Sequence, residues 1–205
     1  MTTNVSVASQ AMLLLRANPI DAFSDDTNEA EILNVMYEEH IKQLLSLHPW
    51  TFATKKRQLS QDSTAPIGEY DYAYIVPADM LLLWAVFNTD ETNATPVRNY
   101  DIYGTDTARR IYSNETTMYA DYMYYVPEVV WPSYFTQFAI NSLAAHTAVP
   151  VTGNVDLASH YKTEAYGSAN ANRKGGLFGV AVSQDSKQKR NEVIFSSPLT
   201  EARFS

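Results

Sequence analysis

Leu44-Leu45-Ser46-Leu47-His48-Pro49-Trp50-Thr51-Phe52-Ala53-Thr54 is the stretch across which the chain changes period. Before it, Leu33, Tyr37, Ile41, Leu44 and Leu45 recur at the three-to-four-residue spacing of one helix face. Ile32, Val35 and Met36 widen that stripe, so the spacing predicts a helix covered on more than one side. Pro49 ends it, because proline has no N–H to continue the ladder. After it, Trp50, Phe52 and Thr54 alternate with smaller or polar residues, the spacing of a strand.

Outward toward the N-terminus, Ala8, Ala11, Met12 and Leu15 mark a short helix over residues 5–18, stopped by Pro19. Residues 24–29 form a helix start, with Asp26 as the expected N-cap and Glu29 three residues on. Toward the C-terminus, strands are expected at residues 70–76, 82–87, 98–103, 110–112 and 118–126, punctuated by turn-forming residues at roughly ten-residue spacing. Ten of the 14 tyrosines lie in this stretch, as suits sheets packed on one face and wetted on the other. A helix is expected from Val130 to about Ala148 with Pro132 in its first turn, then a turn at 150–153. A last helix is expected from Val155 to about Ala171, broken by Gly175-Gly176.

The expected fold class is therefore α+β. Two N-terminal and two C-terminal helices, residues 1–50 and 128–172, form a bundle. An antiparallel sheet or small barrel, residues 51–127, is inserted into it. Residues 173–205 read as an extended tail carrying two short apolar patches, 177–182 and 193–195. Deleting residues 177–205 is expected to leave the body folded.

The 205-residue chain carries a net charge of −8, no cysteine and only 7 glycines. Zero cysteine excludes disulfides, thiolate metal sites and cysteine nucleophiles. The longest apolar run, residues 80–87, falls far short of the ~20 residues of a membrane span, and the first ten residues lack the basic start of a secretory signal. Charge is split. Residues 1–172 hold 9 basic and 20 acidic residues, a net −11, whereas residues 173–205 hold 6 and 3, a net +3. Such asymmetry suggests docking of the tail onto an acidic surface, and the negative balance disfavours duplex DNA binding as the main task.

No chemistry-bearing constellation emerges. His40, His48, His146 and His160 show no metal-ligand spacing. Neither a nucleophile elbow nor a phosphate loop is present. Asp25/Asp26 suit a helix start and Asp90/Glu91 a turn. Lys55-Lys56-Arg57 is a dense basic cluster read as a solvated strand end. The expectation is a non-enzyme without catalytic residues, cofactor or metal.

The order of parts then resembles a known family. A short helix ends in Arg16-Ala17-Asn18-Pro19-Ile20. An acidic helix start leads to the His48-Pro49-Trp50-x-Phe52-Ala53 exit. Tyr72-x-Tyr74-x-x-Pro77-x-Asp79 closes a strand, and two late helices follow the β region. Over about residues 8–172 this resembles the head-to-tail adaptors of tailed bacteriophages, the podovirus tail tubular protein A family. His48, Pro49, Trp50, Pro77 and Asp79 are fold-building in this reading. The resemblance implies a structural virion protein of the neck, assembled in the host cytoplasm. Its subunits would form a ring, usually twelve-fold, between the portal protein and the next tail component, a nozzle or tail tube. Genomic DNA would pass through without sequence-specific binding, and no membrane would be involved. By the same analogy Leu177, Phe178, Val193, Ile194, Phe195 and Phe204 would anchor the tail on the portal, with Lys187, Lys189 and Arg190 as charge partners. The alternative from another class is a glycan- or receptor-binding tail module using the Tyr/Trp-rich β region.

Overall fold

The structure, a computed structural model, describes residues 2–63, 68–91, 94–104, 108–168 and 175–188. Helix α1 spans Asn4–Leu14 and is opened by a reciprocal cap in which the Ser6 N–H donates to Thr3 Oγ1 and the Thr3 N–H to Ser6 Oγ. It ends with Arg16 in the left-handed region (φ 58°), where the Ala17 N–H reaches back to the Met12 carbonyl. Helix α2 spans Asn28–Ser46. Its N-cap is Thr27, whose Oγ1 accepts from the Ala30 N–H, and not Asp26. The extended backbone at Thr27 (φ −133°, ψ 149°) sets the start one residue later than the carboxylates suggest. The buried face is Leu33, Tyr37, His40, Ile41, Leu44 and Leu45, but Val35 is 73% exposed, so the stripe is narrower than the hydropathy pattern implies.

Trp50 has no solvent exposure, and its indole N–H donates to the Leu44 carbonyl (3.1 Å). Around it stand Phe135, Phe52 and Phe178, with ring centroids 5.1, 6.0 and 6.1 Å away. Thr51–Ala53 is a 3₁₀ turn, and the strand expected from Trp50 begins only at Thr54. Trp50 is thus the plug of the helical core instead of the first residue of a sheet.

The insert holds β1 (Thr54–Gln58), β2 (Tyr72–Ile75), β3 (Met80–Phe87), β4 (Tyr100–Gly104), β5 (Arg109–Ser113) and β6 (Tyr119–Tyr124). They form two three-stranded antiparallel sheets, ordered β1-β6-β3 and β2-β5-β4. Tyr74, Met80, Val86, Ile111, Met118 and Tyr122 make a second, smaller core. Pro77 starts the turn into β3, closed by the Met80 N–H on the Pro77 carbonyl (3.1 Å). Asp79 in that turn accepts from Lys55 of β1 and from the Tyr122 hydroxyl of β6 (3.1 Å), so its fold-building part is to tie three strands together.

Helix α3 (Ser133–Thr152) packs against α1, α2, α4 and α5. It runs through Pro150, two residues past the expected turn start, because a proline near the helix end forfeits only one ladder bond. Gly153 (φ 68°) caps it. Helix α4 (Val155–Tyr166) starts at Asn154, whose Oδ1 accepts from the Asp156 and Leu157 N–H groups. It ends five residues short of the expected Ala171.

The main correction concerns the C-terminal segment. Gly176–Ser186 is a fifth helix, α5, packed on α3 and α4. Leu177 and Phe178 therefore lie on the helical core and not on an extended tail. The physical reason is legible afterwards: Phe178, Ala181, Val182 and Asp185 fall at i, i+3, i+4 and i+7. Gly176 permits the packing, since a Cβ there would come within 2.4 Å of the Glu164 carbonyl oxygen. The expectation that a cut at residue 177 spares the body is corrected with it.

Candidate functional site

Two places combine polar groups with burial. The first is a cleft of about 290 Å³ between α2, α3 and α4. His40 (α2) lines it from the buried side at 5% exposure, and its Nε2 lies 3.0 Å from Ser142 Oγ on α3. Ser142 Oγ in turn lies 2.7 Å from the Tyr166 hydroxyl on α4, so one hydrogen-bonded chain spans three helices. The His146 ring stacks on His40 at 4.6 Å and 15°. Burial, then the neighbouring His146, pushes the His40 pKa down to about 3, and burial lowers that of His146 as well. Both rings are neutral at pH 7. Lys162 and Gln43 stand exposed at the rim.

His40 and Ser142 are at the distance of a nucleophile and its base. The pair lacks the rest of that arrangement. His40 Nδ1 is buried with no partner to orient the ring, its basicity is strongly reduced, and Ser142 is buried. As it stands the chain is a polar cross-link of the bundle. Sequence reasoning missed it because residues 40 and 142 have no local signal to connect them.

The second place is Asp185, fully buried near the end of α5. Its carboxylate accepts from the Thr51 N–H (3.1 Å), the Thr51 hydroxyl (2.7 Å) and the Tyr134 hydroxyl (2.9 Å), and His48 Nε2 lies 3.6 Å away. It locks α5 onto the helix-to-strand joint, where charge-assisted hydrogen bonds offset the burial of a carboxylate. Of the residues assigned to tail docking, Lys187 directly follows α5 as its C-cap. Lys189, Arg190, Val193, Ile194, Phe195 and Phe204 lie outside the described residues.

The sheets offer a third feature, an apolar surface. On β3, Trp84 is 57% and Leu82 43% exposed. Trp84 borders a groove with Pro49, Lys55, Lys56, Asp90 and Asp121. The basic cluster is tied into this region. Lys55 pairs with Asp79 and lies 4.1 Å from the Tyr124 ring centroid, and Lys56 lies 4.2 Å from that of Phe87. Among the described residues no group of three or more His, Asp or Glu is placed to hold a metal ion, and no helix is long and apolar enough to cross a membrane. No protein-family model matches the chain, and no curated protein shows significant similarity to it.

Proposed function

We propose that the chain is a structural adaptor of a tailed-phage particle. In this reading its subunits ring the DNA exit channel between the portal protein and the next tail component. The observation that supports it best is Trp84 with Leu82, large apolar side chains held outward on β3. Desolvated aromatic anchors are the residues around which protein interfaces are built. The helical body also exposes Val35, Val149 and Val155, so each unit of the subunit offers apolar contacts to neighbours. The motif that carries the resemblance, His48 to Ala53, lies where body, sheets and α5 meet, which suits a subunit whose two units must hold a fixed angle in a ring. The net charge of −11 on residues 1–172 suits a conduit for DNA, because it repels phosphate.

Electron microscopy of the purified protein, alone and mixed with the portal protein, tests the proposal. Rings in either preparation support it. Monomers under both conditions overturn it. A second reading, a glycan-binding tail module, has one specific observation in its favour. The Tyr70 and Tyr103 hydroxyls both donate to Asp101 Oδ2 (2.7 and 3.2 Å), beside Asn99 and Asn114. Retention on a glycan array, lost on Tyr103→Ala, would favour that reading over the first.

A further inference from the structure

The cleft between α2, α3 and α4 inverts the charge balance of the body around it. Residues 1–172 are strongly acidic, yet none of the residues lining the cleft is a carboxylate. Its one fixed charge is Lys162, which makes no ion pair among the described residues. Hydrogen-bonding groups converge there. The Ser142 and Tyr166 hydroxyls come from two helices and the Gln43 amide from a third. His40 is buried, with Nδ1 satisfied by nothing in the structure, a rare condition for a polar atom at that depth. Leu47 and Ala145 complete the lining with apolar surface.

We propose that this cleft binds a carboxylate carried on a short aliphatic stem. One lysine matches one negative charge, whereas a phosphate dianion would call for further cations or a guanidinium fork. With His40 Nε2–H donating to Ser142 and Ser142 donating to Tyr166, the Tyr166 hydroxyl and the Gln43 amide are left to donate to the carboxylate oxygens. The stacked imidazole face and Leu47 cover the methylenes of the stem. The volume of about 290 Å³ accommodates a group of this size and is small for a larger ligand. Such a ligand is either a free small acid or the side chain of a glutamate on a partner protein, and the chemistry of recognition is the same for both. The site stands apart from the adaptor reading and does not depend on it.

Two probes separate the sources: sodium propionate, and N-acetyl-glutamate amide as the mimic of a protein side chain. Each is titrated into the full chain at pH 7 while the ring carbon-proton NMR signals of His40 and His146 are followed. Saturable shifts of those signals with a millimolar Kd are expected. Lys162→Met, at an exposed position that the fold tolerates, is expected to weaken binding by about tenfold, and Lys162→Arg to retain it. Tighter binding of the capped glutamate assigns the site to a protein side chain, and tighter binding of propionate assigns it to a free acid. Absence of saturable shifts with either probe at tens of millimolar overturns the proposal. So does an affinity that Lys162→Met leaves unchanged.

Discussion

The helical body and the β unit are built to different standards of closure. Among the described residues of the body, 25 buried apolar residues form one cluster, and its helices are cross-linked by buried polar groups, His40 to Ser142 and Tyr37 to Glu128. Among the described residues of the β unit, 8 buried residues form a small cluster between two three-stranded sheets, and Ile75, Leu82, Trp84, Ile102 and Tyr103 remain exposed. The body also exposes Leu13, Val35, Val149, Val155 and Val180, but these are single aliphatic side chains, one on each of its helices, around a large core. The β unit instead exposes aromatic side chains, Trp84 and Tyr103, beside Leu82 and Ile102 on small sheets with little core behind them.

The sharpest way to break this comparison is to cut the chain. Truncation before Gly176 removes Phe178, Ala181 and the Asp185 carboxylate from the body, and is expected to destabilise it by more than about 5 kcal/mol. Truncation after Gln188 keeps α5 whole and is expected to leave the chain the more stable of the two. Urea unfolding of the two truncated chains checks both. Equal stability would mean that α5 is not part of the closed body. Next in size, Trp50→Ala is expected to lose about 3–5 kcal/mol, the cost of emptying a buried indole site. Its effect on amide exchange should reach α2, α3 and α5 more than β4 and β5.

The buried histidine gives a pH dependence confined to the body. The folded His40 pKa of about 3 lies below the ordinary value of 6.5, so between those values the unfolded chain binds the extra proton. Stability attributable to His40 is therefore complete above pH 6.5 and is lost as pH falls toward 3. At pH 5 the loss is about 2 kcal/mol. Denaturant unfolding at pH 7 and pH 5 measures it, and His40→Gln is expected to remove that part of the difference. A slope unchanged in the variant would place the acid sensitivity elsewhere. Smallest in stability is Trp84→Ala, expected to shift unfolding by less than about 0.5 kcal/mol because the ring is largely exposed. Under the proposed function the same change is expected to reduce ring formation seen by electron microscopy. Normal rings from the variant would remove Trp84 from the contact.

The two units were also unequally legible in the sequence. The change of period at Pro49, the late helices and the antiparallel character of the insert all follow from local spacing, which strands and amphipathic helices carry in every window. Val35 misled because an apolar residue at the edge of a stripe is not thereby buried. α5 was hidden for a different reason. Its face contains Asp185, and an acidic residue in a core position reads as solvent-facing until its partners, Thr51 and Tyr134, are seen. The cleft was illegible altogether, since its members come from three helices and each looks ordinary alone.

Asp185 also makes the joint between the two units a place where force enters the molecule. It is the buried anchor nearest the C-terminal end of the described chain, and it grips Thr51, three residues before β1 begins. Tension applied beyond Gln188 would load the Thr51 and Tyr134 hydrogen bonds together instead of unzipping α5 turn by turn. Thr51 leads on to β1 and Tyr134 belongs to α3, so both units would share the load.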